Sequence, residues 1–374
     1  MPVTRNRRGK DMKRLDIGVF LPIAKNGFVF STAGPPYPPS YQTNLEISLL
    51  SERIGLDFVF SMSKWRGFGG ASQFWDASHE SFSLMAALAA ATRRIDLIAT
   101  VNPLLFHPAM MAKMAATIQD VSGGRLGLNI VTGATIGEYA QMGVIPENYN
   151  EHRYAYAAEW TRVLKRLWHE SSVTHHGNYF RLEDCVSEPK PNPPPFLVCA
   201  ATSDEGLRFT VREADWSFMS GTDLGMVKQY AARARSIAAE EGRKVKIAIP
   251  VMLVMGDTMA AAEAYQERLF EAADLGALGN IGRALSGENR DRAQLRGAQR
   301  LADRKAIYAG LPIVGTARDV ADRIIDLAED GEADCLLLIL VDYMDGLQRF
   351  GAEVMPLLKA ALDVGTQDGT GAGA

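Results

Sequence analysis

Cysteine is scarce in this chain of 374 residues: Cys185, Cys199 and Cys335 stand far apart. They make neither a CxxC pair nor an even-numbered framework, which argues against a disulfide scaffold and predicts reduced core thiols in a cytoplasmic protein. A surplus of one charge is missing too, since 40 Lys plus Arg face 44 Asp plus Glu, a formal net charge of -4. Without a basic excess there is no nonspecific hold on a polyanion, so nucleic acid is not an expected partner. No stretch approaches the roughly 18 uninterrupted apolar residues of a membrane helix. Arg7-Arg8 has the look of an export signal, but the apolar run after it is short, opened by Asp16 and closed by Lys25 and Asn26. It reads better as a first buried strand, and export is not expected.

Several catalytic signatures are absent as well. There is no HExxH or similar ligand cluster, so no metal is assigned. No GxSxG elbow supplies a nucleophile, and no pair of carboxylates is placed for acid/base hydrolysis. A GxGxxG turn directly after a strand, the mark of a dinucleotide fold, is missing; Gly67-Phe68-Gly69-Gly70 lies in a loop among aromatic residues with no helix behind it.

What the chain does have is ordinary globular composition, 47% hydrophobic and 22% charged, arranged as short apolar runs alternating with amphipathic stretches. The runs fall at 17–22, 58–62, 95–101, 125–131, 196–200, 216–219, 246–254 and 335–341. Eight such strands with helical patterns between them predict a closed parallel (β/α)8 TIM barrel with insertions. The expected organisation is an N-terminal extension over 1–15, a single barrel over 16–363 with a helical insertion around 258–309, and a disordered tail over 364–374. That insertion and the proline-rich loop 27–43 are the two connections expected to shape a pocket.

In a parallel barrel, reactive side chains belong at the C-terminal ends of the strands. The rule selects Ser61, Met62, Ser63 and Lys64; Thr100 and Asn102; Asn129 and Thr132; and Ala201, Thr202 and Ser203. Hydroxyls and amides dominate this set. It suits a mouth that orients an organic cofactor, with the cofactor carrying the difficult chemistry. Thr202-x-x-Glu205 reads as a capping box at a helix start, either a plain cap or, with the Ser203 hydroxyl, a phosphate seat. Arg153-Tyr154 offers a guanidinium and a phenol suited to the same anion, or to a surface ion pair. His79 and His107 are open to two readings each, touching substrate or serving structure. His175-His176 with Gly177-Asn178 reads as a turn between short strands, and Trp65, Phe68, Phe74 and Trp75 as an aromatic cluster over a ligand or in the core.

Longer segments carry a resemblance. SMSKWRGFGGASQFWDASHESFSLMAALAAATRRIDLIAT, MAKMAATIQDVSGGRLGLNIVTG, EYAQMG, HRYAYAAEW and SDEGLRF resemble the bacterial luciferase-like, FMN-dependent monooxygenases. The likeness runs from about Asp16 past Asp342 and is strongest to the branch that oxygenates pyrimidines in uracil degradation. Sulfone monooxygenases and a riboflavin-degrading lyase are more loosely similar. The resemblance implies a (β/α)8 barrel, reduced FMN delivered by a separate NAD(P)H-dependent flavin reductase, O2 as co-substrate, and a homodimer or homotetramer. It implies that Ser63 and Lys64 lie along the flavin, that Asn129 and Glu138 bond near its ring or ribityl chain, and that Arg153, Tyr154 and Ser203 hold its phosphate. Thr100, Asn129 and Val131, with Phe60, match positions around oxygen beside the flavin N5, where a flavin peroxide would attack an N-heterocyclic ring and open it.

Two departures bear on substrate. Phe60 stands where that branch has a smaller aliphatic residue, and Asn102-Pro103-Leu104-Leu105-Phe106-His107 replaces a threonine-rich run, so Asn102, His107 and His79 are the expected substrate contacts. The alternatives are a riboflavin lyase or sulfone monooxygenase of the same family, a deazaflavin-dependent dehydrogenase, and a flavin-binding protein without turnover.

Overall fold

A computed structural model describes residues 12–133, 135, 137–201, 203–219, 221–286 and 307–365. Eight parallel strands close on themselves in the order β1 (Asp16–Phe20), β2 (Phe58–Phe60), β3 (Asp96–Val101), β4 (Leu126–Ile130), β7 (Phe196–Ala200), β8 (Trp216–Phe218), β9 (Lys246–Met255) and β11 (Cys335–Leu340), which pairs back to β1. Helices α1 (Tyr41–Ile54), α2 (Ser81–Ala91), α3 (Pro108–Ser122), α5 (Tyr149–His169), α6 (Asp204–Glu213), α7 (Leu224–Glu240) and α10 (Ala317–Glu329) return the chain between strands. This is the TIM barrel that the alternating pattern predicts. Among the described residues no helix is long and apolar enough to cross a membrane.

Aromatic rings fill the barrel axis in two layers. Near the N-terminal ends, Phe58 and Phe196 each lie 5.2 Å from the Trp216 ring. Gly18 makes room there, since a Cβ at that position would come within 2.3 Å of the Phe58 ring. Near the C-terminal ends, Phe60 stacks on Phe218 at 5.5 Å and meets Phe20 edge-on at 5.2 Å. Each such ring withdraws a large apolar area from water, worth about 1.5–3 kcal/mol.

The structure adds a ninth strand to the eight expected. β10 (Leu311–Gly315) pairs in parallel with β9 from Val251 to Met255, beyond Ala248, where the three-residue β8 has ended. β9 is ten residues long, and β10 takes over the edge that β8 leaves bare. β5 (Val173–His176) and β6 (Arg181–Cys185) form the small antiparallel hairpin read from His175 to Asn178. Its turn is held by the buried Glu159 carboxylate, which accepts from the backbone N–H groups of Asn178, Tyr179 and Phe180. Cys199 and Cys335 are buried and Cys185 is half-buried, all three as free thiols.

The two connections expected to shape a pocket meet each other. The loop that follows β1 ends at Ser40, which caps α1, so helix begins at Tyr41, before the expected 43. Within the insertion, residues 259–286 form α8 (Met259–Glu271) and α9 (Leu275–Ser286), while 287–306 lie outside the described residues. Phe30 accepts from the Asp274 N–H at 3.0 Å and donates to the Ile307 carbonyl at 3.1 Å. The Asp274 carboxylate accepts from the Ser72 N–H at 2.7 Å and hydroxyl at 2.6 Å, and from the Ala277 N–H at 3.0 Å, which starts α9. Burial works against that charge, but the bonds from Ser72 and Ala277 outweigh it and hold the carboxyl below its ordinary range.

At the chain ends, the expected boundaries fall inside one layer. Leu15 donates to the Asp363 carbonyl and Asp363 to the Lys13 carbonyl, each at 3.0 Å, so 13–15 and 363 lie side by side across the barrel floor. Residues 1–11 and 366–374, most of the expected extension and tail, lie outside the described residues.

Candidate active site at the C-terminal mouth of the barrel

Parallel register sets Thr100 of β3 directly against Asn129 of β4. Both are buried, 4% and 3% exposed. The Thr100 hydroxyl donates to the Ser61 carbonyl at 2.6 Å and accepts from Asn129 Nδ2 at 2.9 Å. Because the hydroxyl has one proton and spends it on Ser61, the amide nitrogen of Asn129 must face Thr100, which fixes the amide's orientation. Asn129 Oδ1 is then left buried with no partner among the described residues. A buried unpaired acceptor is costly, about 1–3 kcal/mol, unless a ligand donor meets it. Ser81, at the start of α2, steadies the pair from behind: its hydroxyl accepts from the Thr100 N–H at 2.8 Å and lies 2.5 Å from the Ser61 hydroxyl.

The remaining strand-end residues frame this pair. Val131, just past β4, is half-buried and donates its N–H to the Val101 carbonyl. Phe60 is the apolar neighbour in the ring stack with Phe20 and Phe218. Asn102 is fully buried after β3, its Oδ1 accepting from the Leu104 N–H at 2.9 Å. His79 precedes α2 with its N–H on the Ile23 carbonyl, and its Nε2 is buried without a partner among the described residues. His107 is occupied differently. Its Nδ1 accepts from the Ala109 N–H at 3.2 Å, capping α3, its ring packs edge-on to Phe180, and burial lowers its pKa.

Lys64 and Glu138 meet across two loops. Their ends are 3.1 Å apart and both side chains are 6% exposed. Thr135 bridges them, accepting from Lys64 Nζ at 3.1 Å and donating to Glu138 Oε1 at 2.6 Å. The Trp65 N–H adds a bond to Glu138 Oε2, and the ammonium sits 4.6 Å above the Phe68 ring. Burial pulls the Lys64 pKa down while the Glu138 charge opposes it. Ser63 accepts from the Trp65 indole N–H at 3.1 Å. Thr135 was not singled out from sequence, although Thr135-x-x-Glu138 ahead of the short α4 (Gly137–Ala140) has the spacing read at Thr202.

The anion candidates come together at the start of α6. Here the structure corrects the sequence reading: the cap is Ser203, whose hydroxyl accepts from the Gly206 N–H at 3.2 Å, while Thr202 lies outside the described residues. The Ser203 hydroxyl is 3.2 Å from the Tyr154 phenol. Only glycine fits at 206, because a Cβ would stand 2.4 Å from the Tyr154 oxygen. The Arg153 guanidinium lies 4.8 Å from the Tyr154 ring centroid and makes no ion pair among the described residues. The remaining N–H groups of a helix N-terminus, two hydroxyls and a guanidinium without an ion pair among the described residues are a donor set for a phosphate. Among the described residues no group of three or more His, Cys, Asp or Glu could hold a metal ion.

Residues 15–334 match the family model described as luciferase-like monooxygenase. The chain is 37% identical over 355 residues to the pyrimidine monooxygenase RutA of Variovorax paradoxus (strain S110), covering 94% of this chain and 96% of that one. Among solved structures it is similar to riboflavin lyase RcaE, determined with modified FMN and riboflavin, at a TM-score of 0.83 and 22% identity over 95% of this chain and 94% of that one. Long-chain alkane monooxygenase LadA gives a TM-score of 0.82 at 20% identity, with 94% and 93% covered. At such identities the two structures bear on the fold alone.

Proposed function

The chain belongs to the luciferase-like monooxygenase family, and from that premise we propose that it is the oxygenase of a two-component system, taking reduced FMN from a separate NAD(P)H-dependent flavin reductase. With O2 it oxygenates and opens an N-heterocyclic ring such as a pyrimidine. The observation that carries the reading is the buried Thr100–Asn129 pair, with Asn129 Oδ1 left without a partner among the described residues. The residues present fit FMN at both ends. Arg153, Tyr154, Ser203 and the α6 N-terminus would hold its phosphate, and Asn129 Oδ1 would accept from an N–H of the ring system. Lys64, Glu138 and Ser63 would flank the ring from the loop side. FMN, when bound in its reduced form, supplies the electrons that activate oxygen.

The protein's own contribution is position and dryness. Phe20, Phe60 and Phe218 close the barrel beneath the mouth, so water is kept from the reacting atoms and each polar contact there is strengthened. Thr100 sits at the oxygen niche with its proton committed to Ser61, leaving acceptor capacity toward a reacting group that carries a hydrogen. Val131 would supply an apolar wall, and His79, whose Nε2 is buried without a partner among the described residues, and Asn102 would contact the substrate.

The test supplies reduced FMN and O2 to the purified protein with uracil, riboflavin and a sulfone in parallel, following products by mass. Oxygen-dependent conversion of the pyrimidine is expected. Peroxide alone for every substrate, or conversion that proceeds without O2, would overturn the reading.

A further inference from the structure

Outside the Thr100–Asn129 niche lies a second hollow. It is a cavity of about 570 Å³ between the β2–α2 loop, α4 and α9, lined among others by Arg66, Phe68, Thr135, Glu138, Asn280 and Arg283. Its volume is that of a small-ligand site. Its charge is unbalanced. Glu138 is the one carboxylate among those lining residues, and it is already neutralised by Lys64 and fully engaged by Thr135 and the Trp65 N–H. Arg66 is exposed and makes no ion pair among the described residues. Arg283 is half-buried and, among the described residues, bonds the neutral Asn280 Oδ1 and makes no ion pair, while Asn280 Nδ2 is held by the Phe68 carbonyl at 2.5 Å. That chain of bonds aims one guanidinium without cancelling its charge. Two guanidiniums without an ion pair among the described residues line one cavity beside a single, already paired carboxylate, which makes its wall positively charged and suited to an anion.

We propose that this cavity binds an oxyanion, a carboxylate or phosphate, carried on the N-heterocyclic substrate, so that the preferred substrate is an anionic heterocycle and not a neutral base. The heterocycle rests on the function proposed above; the oxyanion rests on Arg66 and Arg283. The shared wall formed by Thr135 and Glu138 joins the cavity to the loop side of the cofactor site, so one ligand can reach both.

The experiment measures binding by calorimetry to FMN-loaded protein, with orotate as the carboxylate source, uridine 5′-monophosphate as the phosphate source and uracil as the neutral control. At least one anionic probe is expected to bind roughly tenfold or more tighter than uracil, with an advantage that shrinks as salt rises. Arg66→Gln and Arg283→Gln are each expected to remove roughly tenfold of that advantage, leaving uracil and FMN affinities unchanged, and Arg66→Lys to keep part of it. Equal binding of all three probes, no measurable anionic binding, or wild-type affinity in both Gln variants would overturn the proposal. A loss of FMN affinity in those variants would overturn it too, since the arginines would then serve the cofactor. Failure of the oxygenase reading has a separate signature: anionic probes bind, yet no O2-dependent product forms.

Discussion

At the scale of single residues, the proposed phosphate seat makes the sharpest claim. Removing a charge-assisted donor costs about 1.5–3 kcal/mol, roughly 10- to 100-fold in affinity. Arg153→Ala and Ser203→Ala are therefore expected to weaken FMN binding by about that factor while leaving riboflavin, which lacks the phosphate, nearly unaffected. Flavin fluorescence titration reads both; equal losses for the two flavins would remove the phosphate assignment. Thr100, Asn129 and Ser203 were legible in the sequence because polar residues at strand ends break an apolar pattern. Ser81 and Thr135 were not. They lie 19 and 71 residues from the groups they bond, the Thr100 N–H and the Lys64 ammonium, and no local periodicity encodes such pairings.

At the scale of elements, a single carboxylate makes two of the hydrogen bonds that hold the insertion against the β2–α2 loop. Asp274 holds Ser72 of the β2–α2 loop and the first turn of α9 together, with three hydrogen bonds into a buried spot. Asp274→Ala leaves the Ser72 and Ala277 N–H groups unmet and is expected to cost about 1–3 kcal/mol locally. Hydrogen exchange should speed up across 66–76 and the start of α9, with the strands unchanged; uniform acceleration through the barrel would mean that Asp274 supports the whole fold instead. β10 escaped sequence reading for a related reason. Leu311-Pro312-Ile313-Val314-Gly315 carries a proline and a glycine within five residues, which argue against a strand, and it is tolerated here because it pairs only with β9 at an edge.

At the scale of the whole molecule, the barrel floor ties stability to pH. A cavity of about 530 Å³ there is lined by Asp16, Asp57 and Asp96 with Arg14 and Lys246. Burial pushes the Asp96 carboxyl up to about 7, against the Arg125 charge, and the Asp57 carboxyl up to about 6, against the Ile17 N–H and Arg14. Both folded values lie above the unfolded one near 4, so the folded chain binds more protons than the unfolded chain between about pH 4 and about pH 7. Stability from these groups is complete at the acid end of that window and lost as pH rises through it. Asp96→Asn mimics the neutral acid, and is expected to raise the melting temperature at about pH 8 but hardly at about pH 5. A constant difference at both pH values would show that the Asp96 charge does not matter.

The sequence by itself determined the eight barrel strands and, through its polar strand ends, the mouth as the place to look for chemistry, since short apolar runs and the polar residues that close them are local signals. Only the tertiary structure decided how those residues are spent. Closure of the barrel brings Thr100 onto Asn129 and frees one acceptor, brings Lys64 onto Glu138 and cancels their charges, and folds the insertion against the β2–α2 loop so that Arg66 and Arg283 share one cavity. Each of these depends on residues far apart in the chain meeting at a few ångströms, where hydrogen-bond saturation and charge pairing fix which groups remain for a ligand.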